Sequence, residues 1–218
     1  MIAGILHAQL TAPPIPNDRR EQERAVAVLI NAGIAQHGRD GLCRIRNLST
    51  GGIMVETRVP LAVDATAWVQ LKSGRQVEGS VRWSKGNLAG IALASADAEE
   101  VLNERTQPAS AAISGAFPRF ARSASASIIN NHRRSRCGVT AISLADVSLS
   151  GLCDLVPDQI LRVAIDGLGE HLARISHVEG EDALAMFAQP LLFRALEQWL
   201  DAAQMPLCQI NGPKSLAI

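Results

Sequence analysis

A succession of short strand-like runs, each closed by a polar or glycine-bearing turn, occurs twice along the 218 residues. In the first pass, residues 25–30 are apolar and rich in β-branched side chains, and a polar loop carrying Gly33, Gly38 and Gly41 follows. Residues 42–46 alternate apolar and basic side chains into a turn at 47–52. Residues 53–56 leave that turn as a strand that stops near Pro60. Residues 68–71 and 76–83 flank Ser73 and Gly74, the signature of a hairpin. Val77, Val81 and Trp83 fall on one face of the second arm, with Glu78, Ser80 and Arg82 on the other, as in a half-buried strand. A turn at Gly86 and Asn87 and a run at 90–93 close the series, and 96–105 reads as a short, mostly polar helix.

After linker composition at 106–116 the pattern starts again. Arg122 precedes a run ending Ile128-Ile129, and residues 139–145 lead into Asp146-Val147-Ser148-Leu149-Ser150-Gly151, an echo of Asn47-Leu48-Ser49-Thr50-Gly51-Gly52. Residues 160–165, 171–178 and 183–188 echo the later strands. The segment 191–205 is helical by its stripe of Leu192, Ala195, Leu196, Trp199 and Leu200. The expectation is an all-β chain with short helices: two tandem small antiparallel β-barrels, each followed by a C-terminal helix. The boundaries are a tail at 1–17, a first domain at 18–105, the linker at 106–116, a second domain at 117–206 and a tail at 207–218.

Composition narrows the function. The formal charge is zero, which argues against a general binder of nucleic-acid polymers, whose affinity rests on a basic excess. Three Trp, four Phe and no Tyr leave little for stacking single strands. Cys43, Cys137, Cys153 and Cys208 are scattered without metal-ligand spacing, and fit a reducing cytoplasm better than a disulfide framework. The first residues lack a basic n-region, and no window reaches the length of a membrane helix, so the chain reads as soluble and cytoplasmic.

The chemistry concentrates at two places in the first half. Arg19, Arg20 and Arg24 stand just before the first strand, and Asn47, Ser49 and Gly52 form the turn 23 residues after Arg24. Planar cations beside a polar, glycine-closed turn suit a ligand with both phosphates and purine faces. Together these residues resemble the PilZ domain, the bacterial receptor module for cyclic di-GMP. Its signature is Arg-x-x-x-Arg followed by Asp/Asn-x-Ser-x-x-Gly, matched here by Arg20 and Arg24 and by Asn47, Ser49 and Gly52. Val81-Arg82-Trp83 and Gly90-Ile91 also resemble the family's last two strands. The resemblance implies a small β-barrel over 18–105 that binds cyclic di-GMP through these residues, with Arg19 as an added phosphate contact.

The second half departs from that pattern. Aligning Arg122 with Arg24 puts Pro118 where Arg20 stands, and Arg119 and Arg122 are three apart. Arg122, Asp146, Ser148 and Gly151 are therefore weaker candidates in a degenerate barrel whose turn is kept for structural reasons. His132, Arg133, Arg134 and Arg136 form a basic cluster in a predicted loop. His171 and His177 share a strand face without a third ligand. No nucleophile–base pair, metal motif or cofactor motif is present, so the expectation is a receptor rather than an enzyme. It would pass binding to a downstream protein by rearranging its domains; a ligand-independent interaction module is the alternative.

Overall fold

A computed structural model describes residues 26–49, 51–94, 96–98, 101, 117–130, 133–152 and 154–202. Arg19, Arg20, Arg24, His132, Cys153 and Cys208 lie outside the described residues, as do both tails and the linker. Among the described residues, twelve strands form two closed barrels of six, with the same strand order in each. The first contains β1 (Val26–Gln36), β2 (Arg39–Ser49), β3 (Gly52–Thr57), β4 (Thr66–Gln70), β5 (Gln76–Lys85) and β6 (Leu88–Leu93). The second contains β7 (Phe120–Asn130), β8 (Arg133–Ile142), β9 (Asp146–Ser150), β10 (Ile160–Ile165), β11 (Gly169–Glu179) and β12 (Asp182–Phe187). All pairings are antiparallel, and β1 closes on β4 as β7 closes on β10. A helix, Phe193–Ala202, follows the second barrel; after the first, residues 96–98 and 101 are helical.

One shift of 94 residues superposes every strand pairing of the first barrel on the second. Ala27 faces Asn47 as Ala121 faces Ala141, Val69 faces Val77 as Val163 faces His171, and Val81 faces Ile91 as Ile175 faces Ala185. The register breaks recur at the same stations, between Ala27 and Ile30 and between Ala121 and Ala124. The core side chains differ at matching stations: the buried pair Val81 and Ile91 becomes Ile175 and Ala185, a small gain on one strand against a larger loss on its neighbour.

Several local expectations are corrected. The expected loop around Gly33, Gly38 and Gly41 is instead two long strands joined at His37 and Gly38, both at positive φ, the geometry of a two-residue hairpin turn. Gly33 and Gly41 serve close approaches: a Cβ on Gly41 would stand 2.8 Å from Cγ2 of Val59. Arg133, Arg134 and Arg136 lie in strand β8 rather than a loop. Trp83 does not join Val77 and Val81 inside, because a β-bulge between Val81 and Trp83 turns it outward, 42% exposed. In the C-terminal helix the buried stripe is Phe193, Leu196, Trp199 and Leu200; Leu192 precedes the first turn and is exposed.

The barrels meet through outward side chains of β1 and β2. Leu42, 1% exposed, packs into the hydrophobic cluster of the second barrel. Arg122, expected ahead of its strand, lies within β7 and donates to Asp40 at 2.5 Å, with both side chains largely buried. The Arg44 guanidinium lies 4.0 Å over the ring of Phe193. Gly33 makes room for Pro118, whose Cβ would stand 3.2 Å from an added Cβ.

Candidate functional site

A shallow groove lies on the first barrel where the end of β2, the start of β3, and β5 and β6 converge. Its rim is the predicted turn. Asn47 pairs with Met54 and Ser49 with Gly52, and the Ser49 hydroxyl donates to the Gly52 carbonyl at 3.3 Å, holding the turn shut. Gly52 cannot be replaced without movement, since a Cβ there would stand 2.2 Å from the carbonyl oxygen of Ile91 on β6. Asn47 lines the groove, and its side chain makes no hydrogen bond among the described residues.

The far wall was not legible as a site. The bulge that expels Trp83 lays its indole across Gly90, where an added Cβ would fall 2.0 Å from Nε1. Arg82 beside it is exposed and makes no ion pair among the described residues, and Met54 lines the floor. Tryptophan, glycine and arginine in one β-hairpin were the available signal; the strict alternation assumed for β5 hid it. Arg46, next to Asn47 in the chain, is paired with Glu56 at 2.9 Å. The groove thus offers a flat aromatic face, one unpaired cation, an amide and backbone groups held in fixed geometry.

Arg20 and Arg24 are the sequence-predicted partners of that turn. Val26, where β1 begins, pairs with Leu48, so the strand starts beside Asn47 and Ser49.

In the second barrel the same surface is closed. The shift of 94 makes Ala141, Ser143 and Asp146 the counterparts of Asn47, Ser49 and Gly52. The echo read at Asp146, Ser148 and Gly151 therefore lies one strand later: Asp146 and Ser148 are in β9, and Gly151 follows its end. The structure brings Asp146 and Ser148 together, but with Arg119 rather than Arg122. Arg119 pairs with the Asp146 carboxylate and donates to the Ser148 hydroxyl at 2.7 Å. Burial pushes the Asp146 carboxyl up, and the Arg119 charge and the Ser143 hydroxyl partly oppose that rise. Ser143 keeps its turn role, accepting from the backbone N–H groups of Ala145 and Asp146 at 3.1 Å each. Where the first barrel has Trp83 against Gly90, the second has His177 against Leu184.

The other candidates stay apart. His171 bonds the Leu168 carbonyl at 3.1 Å and meets the edge of Phe187, while His177 is exposed. Among the described residues no group of three His, Cys, Asp or Glu is placed to hold a metal ion. Cys43 is buried and Cys137 half-buried, and burial pushes the Cys137 thiol up to about 11. No helix among the described residues is long and apolar enough to cross a membrane.

The family model described as "PilZ domain" matches residues 18–105. No curated protein matches the chain. Solved structures similar to it include the Bacillus subtilis inhibitor of motility (MotI/DgrA), at 12% identity over 81% of this chain and 97% of that one, with a TM-score of 0.34. The Borreliella burgdorferi PlzA protein in complex with c-di-GMP is 9% identical over 79% of this chain and 87% of that one, with a TM-score of 0.32. YcgR of Escherichia coli in complex with c-di-GMP is 10% identical over 79% and 83%, with a TM-score of 0.31.

Proposed function

Residues 18–105 of the chain are a PilZ domain, and on that premise we propose that the protein is a cytoplasmic cyclic di-GMP receptor whose first barrel holds the nucleotide over the Asn47–Ser49–Gly52 turn. The observation that carries this reading is the contrast between two barrels in one register. The first keeps an open groove with an unengaged Asn47, and the second fills the same place with its own Arg119–Asp146 pair.

Arg24 is two residues before Val26, so covalent geometry limits their Cα separation to about 8 Å. Arg20 and Arg24 supply forked donors for the phosphodiesters or for guanine O6 and N7. Arg19 adds a phosphate contact. Asn47 reads a base edge or backbone, Ser49 holds the turn, and Gly52 lets the ligand and β6 approach closely. The exposed indole of Trp83 offers a face for a base, and Arg82 a further cation.

Strand β2 ties this site to the second barrel, since Asn47 and Ser49 lie at one end and Asp40, Leu42 and Arg44 at the other. Binding engages the first end and biases the interdomain contacts at the second, and a downstream protein reads the change. The closed surface of the second barrel supports a role in protein contacts for that half, without a nucleotide of its own.

Titration calorimetry of cyclic di-GMP into the full chain tests the reading. One saturable process is expected, with Arg24→Ala and Asn47→Ala each weakening it by about tenfold or more, equivalent to about 1.4 kcal/mol. Absence of heat, or binding by both variants as tight as that of the native chain, would overturn it.

A further inference from the structure

In barrel one, the outward residues Gly33, Asp40, Leu42 and Arg44 are those on which barrel two sits, through Pro118, Arg122, its core cluster and Phe193 respectively. The shift of 94 puts Ser127, Arg134, Arg136 and Gly138 at the same stations of barrel two. Arg134 and Arg136 are exposed, whereas Ser127 is buried and accepts a hydrogen bond from Arg134 Nε at 2.8 Å. We propose that it is a docking site for a partner protein that presents carboxylates, held much as barrel one holds barrel two but with the charges exchanged.

The chemistry of the occupant follows from the substitutions. Asp40 receives Arg122; its counterpart is Arg134, so the arriving element needs an anion where β7 carries a cation. Leu42 enters an apolar cluster; its counterpart is Arg136, which makes no ion pair among the described residues. The face also carries aliphatic surface. Arg134 pairs with Ile129, Ile129 with Arg162 and Arg162 with Leu172, so cations and aliphatics alternate across four strands, and Leu172 is 51% exposed. Arginines interleaved with exposed aliphatics suit a protein interface.

A nucleic-acid polymer fits less well. Arg162 is already neutralised by Glu170 at 3.0 Å, and the described residues named for this face include no aromatic ring. A second copy of this chain fits less well too. By the same shift Val28 is the counterpart of Arg122, so a copy docked in the template manner sets an apolar side chain, not an anion, against Arg134.

The test is fluorescence anisotropy of a short, labelled peptide of alternating glutamate and valine, titrated with the full chain at low salt. The native protein is expected to saturate, and R134E/R136E to bind at least about tenfold more weakly. A charge-matched variant on barrel one, R75E/K85E, is expected to change binding by less than about twofold. Equal loss in both variants, or no loss in either, overturns the proposal. So does tighter binding of a random-sequence duplex DNA, or self-association in sedimentation that R134E/R136E abolishes.

Discussion

At the scale of the residue, the groove depends on two glycines whose neighbours leave no space for a Cβ. Gly52 yields to the Ile91 carbonyl and Gly90 to the Trp83 indole. The two cases differ in consequence. Backbone blocks Gly52, whereas Gly90 is blocked by one side chain that can swing into solvent. Gly90→Ala is therefore expected to leave the barrel folded, at a cost of about 1 kcal/mol, while driving Trp83 off its seat. Cyclic di-GMP affinity should fall by about fivefold or more in calorimetry, with the thermal midpoint little changed. A variant that binds like the native protein would remove Trp83 from the site. This pairing was half legible: Trp83 and Gly90 stood out in the sequence, but period-two alternation put the tryptophan inside. One bulge reverses the facing of everything beyond it, and nothing in residues 81–83 announces the bulge.

At the scale of the element, β2 and β7 carry the contact between the barrels. Arg122 was read as a weaker ligand residue, and its position in β7 gives it to Asp40 instead, with 5% of its side chain exposed. A largely buried pair of this kind is costly to break by halves. Arg122→Met leaves the Asp40 carboxylate without its partner and should destabilise the chain by about 3 kcal/mol, whereas D40L/R122M should recover most of that loss. Chemical denaturation with domain-resolved probes checks both; equal stability of the native protein and Arg122→Met would show that the pair contributes little. The strands themselves were largely legible, because β-branched runs and Gly-bearing turns specify where pairing starts and stops. The motif echo was not. The match of Asn47 to Asp146 requires a shift of 99 residues, while the paired strands share a shift of 94. A six-residue polar pattern recurs by chance more easily than a whole register of core residues.

At the scale of the whole molecule, the two barrels are one architecture used in two ways. The same strand order and register support an open groove in one half and a self-satisfied Arg119–Asp146 contact in the other. Gly52 and its counterpart Asp146 mark the divergence: the first leaves room for a ligand, and the second supplies an anion that engages the chain's own arginine. The tandem arrangement was legible from the repeat, but the face joining the barrels was not, because Asp40, Leu42 and Arg44 read as ordinary strand residues until a partner covers them. The most direct measurement is an amide chemical-shift titration of the labelled full chain with cyclic di-GMP. Saturable shifts are predicted at Asn47, Ser49, Gly52 and Gly90, with none at their counterparts Ala141, Ser143, Asp146 and Leu184. Shifts in the second set without the first, or no shifts in either, would contradict the account.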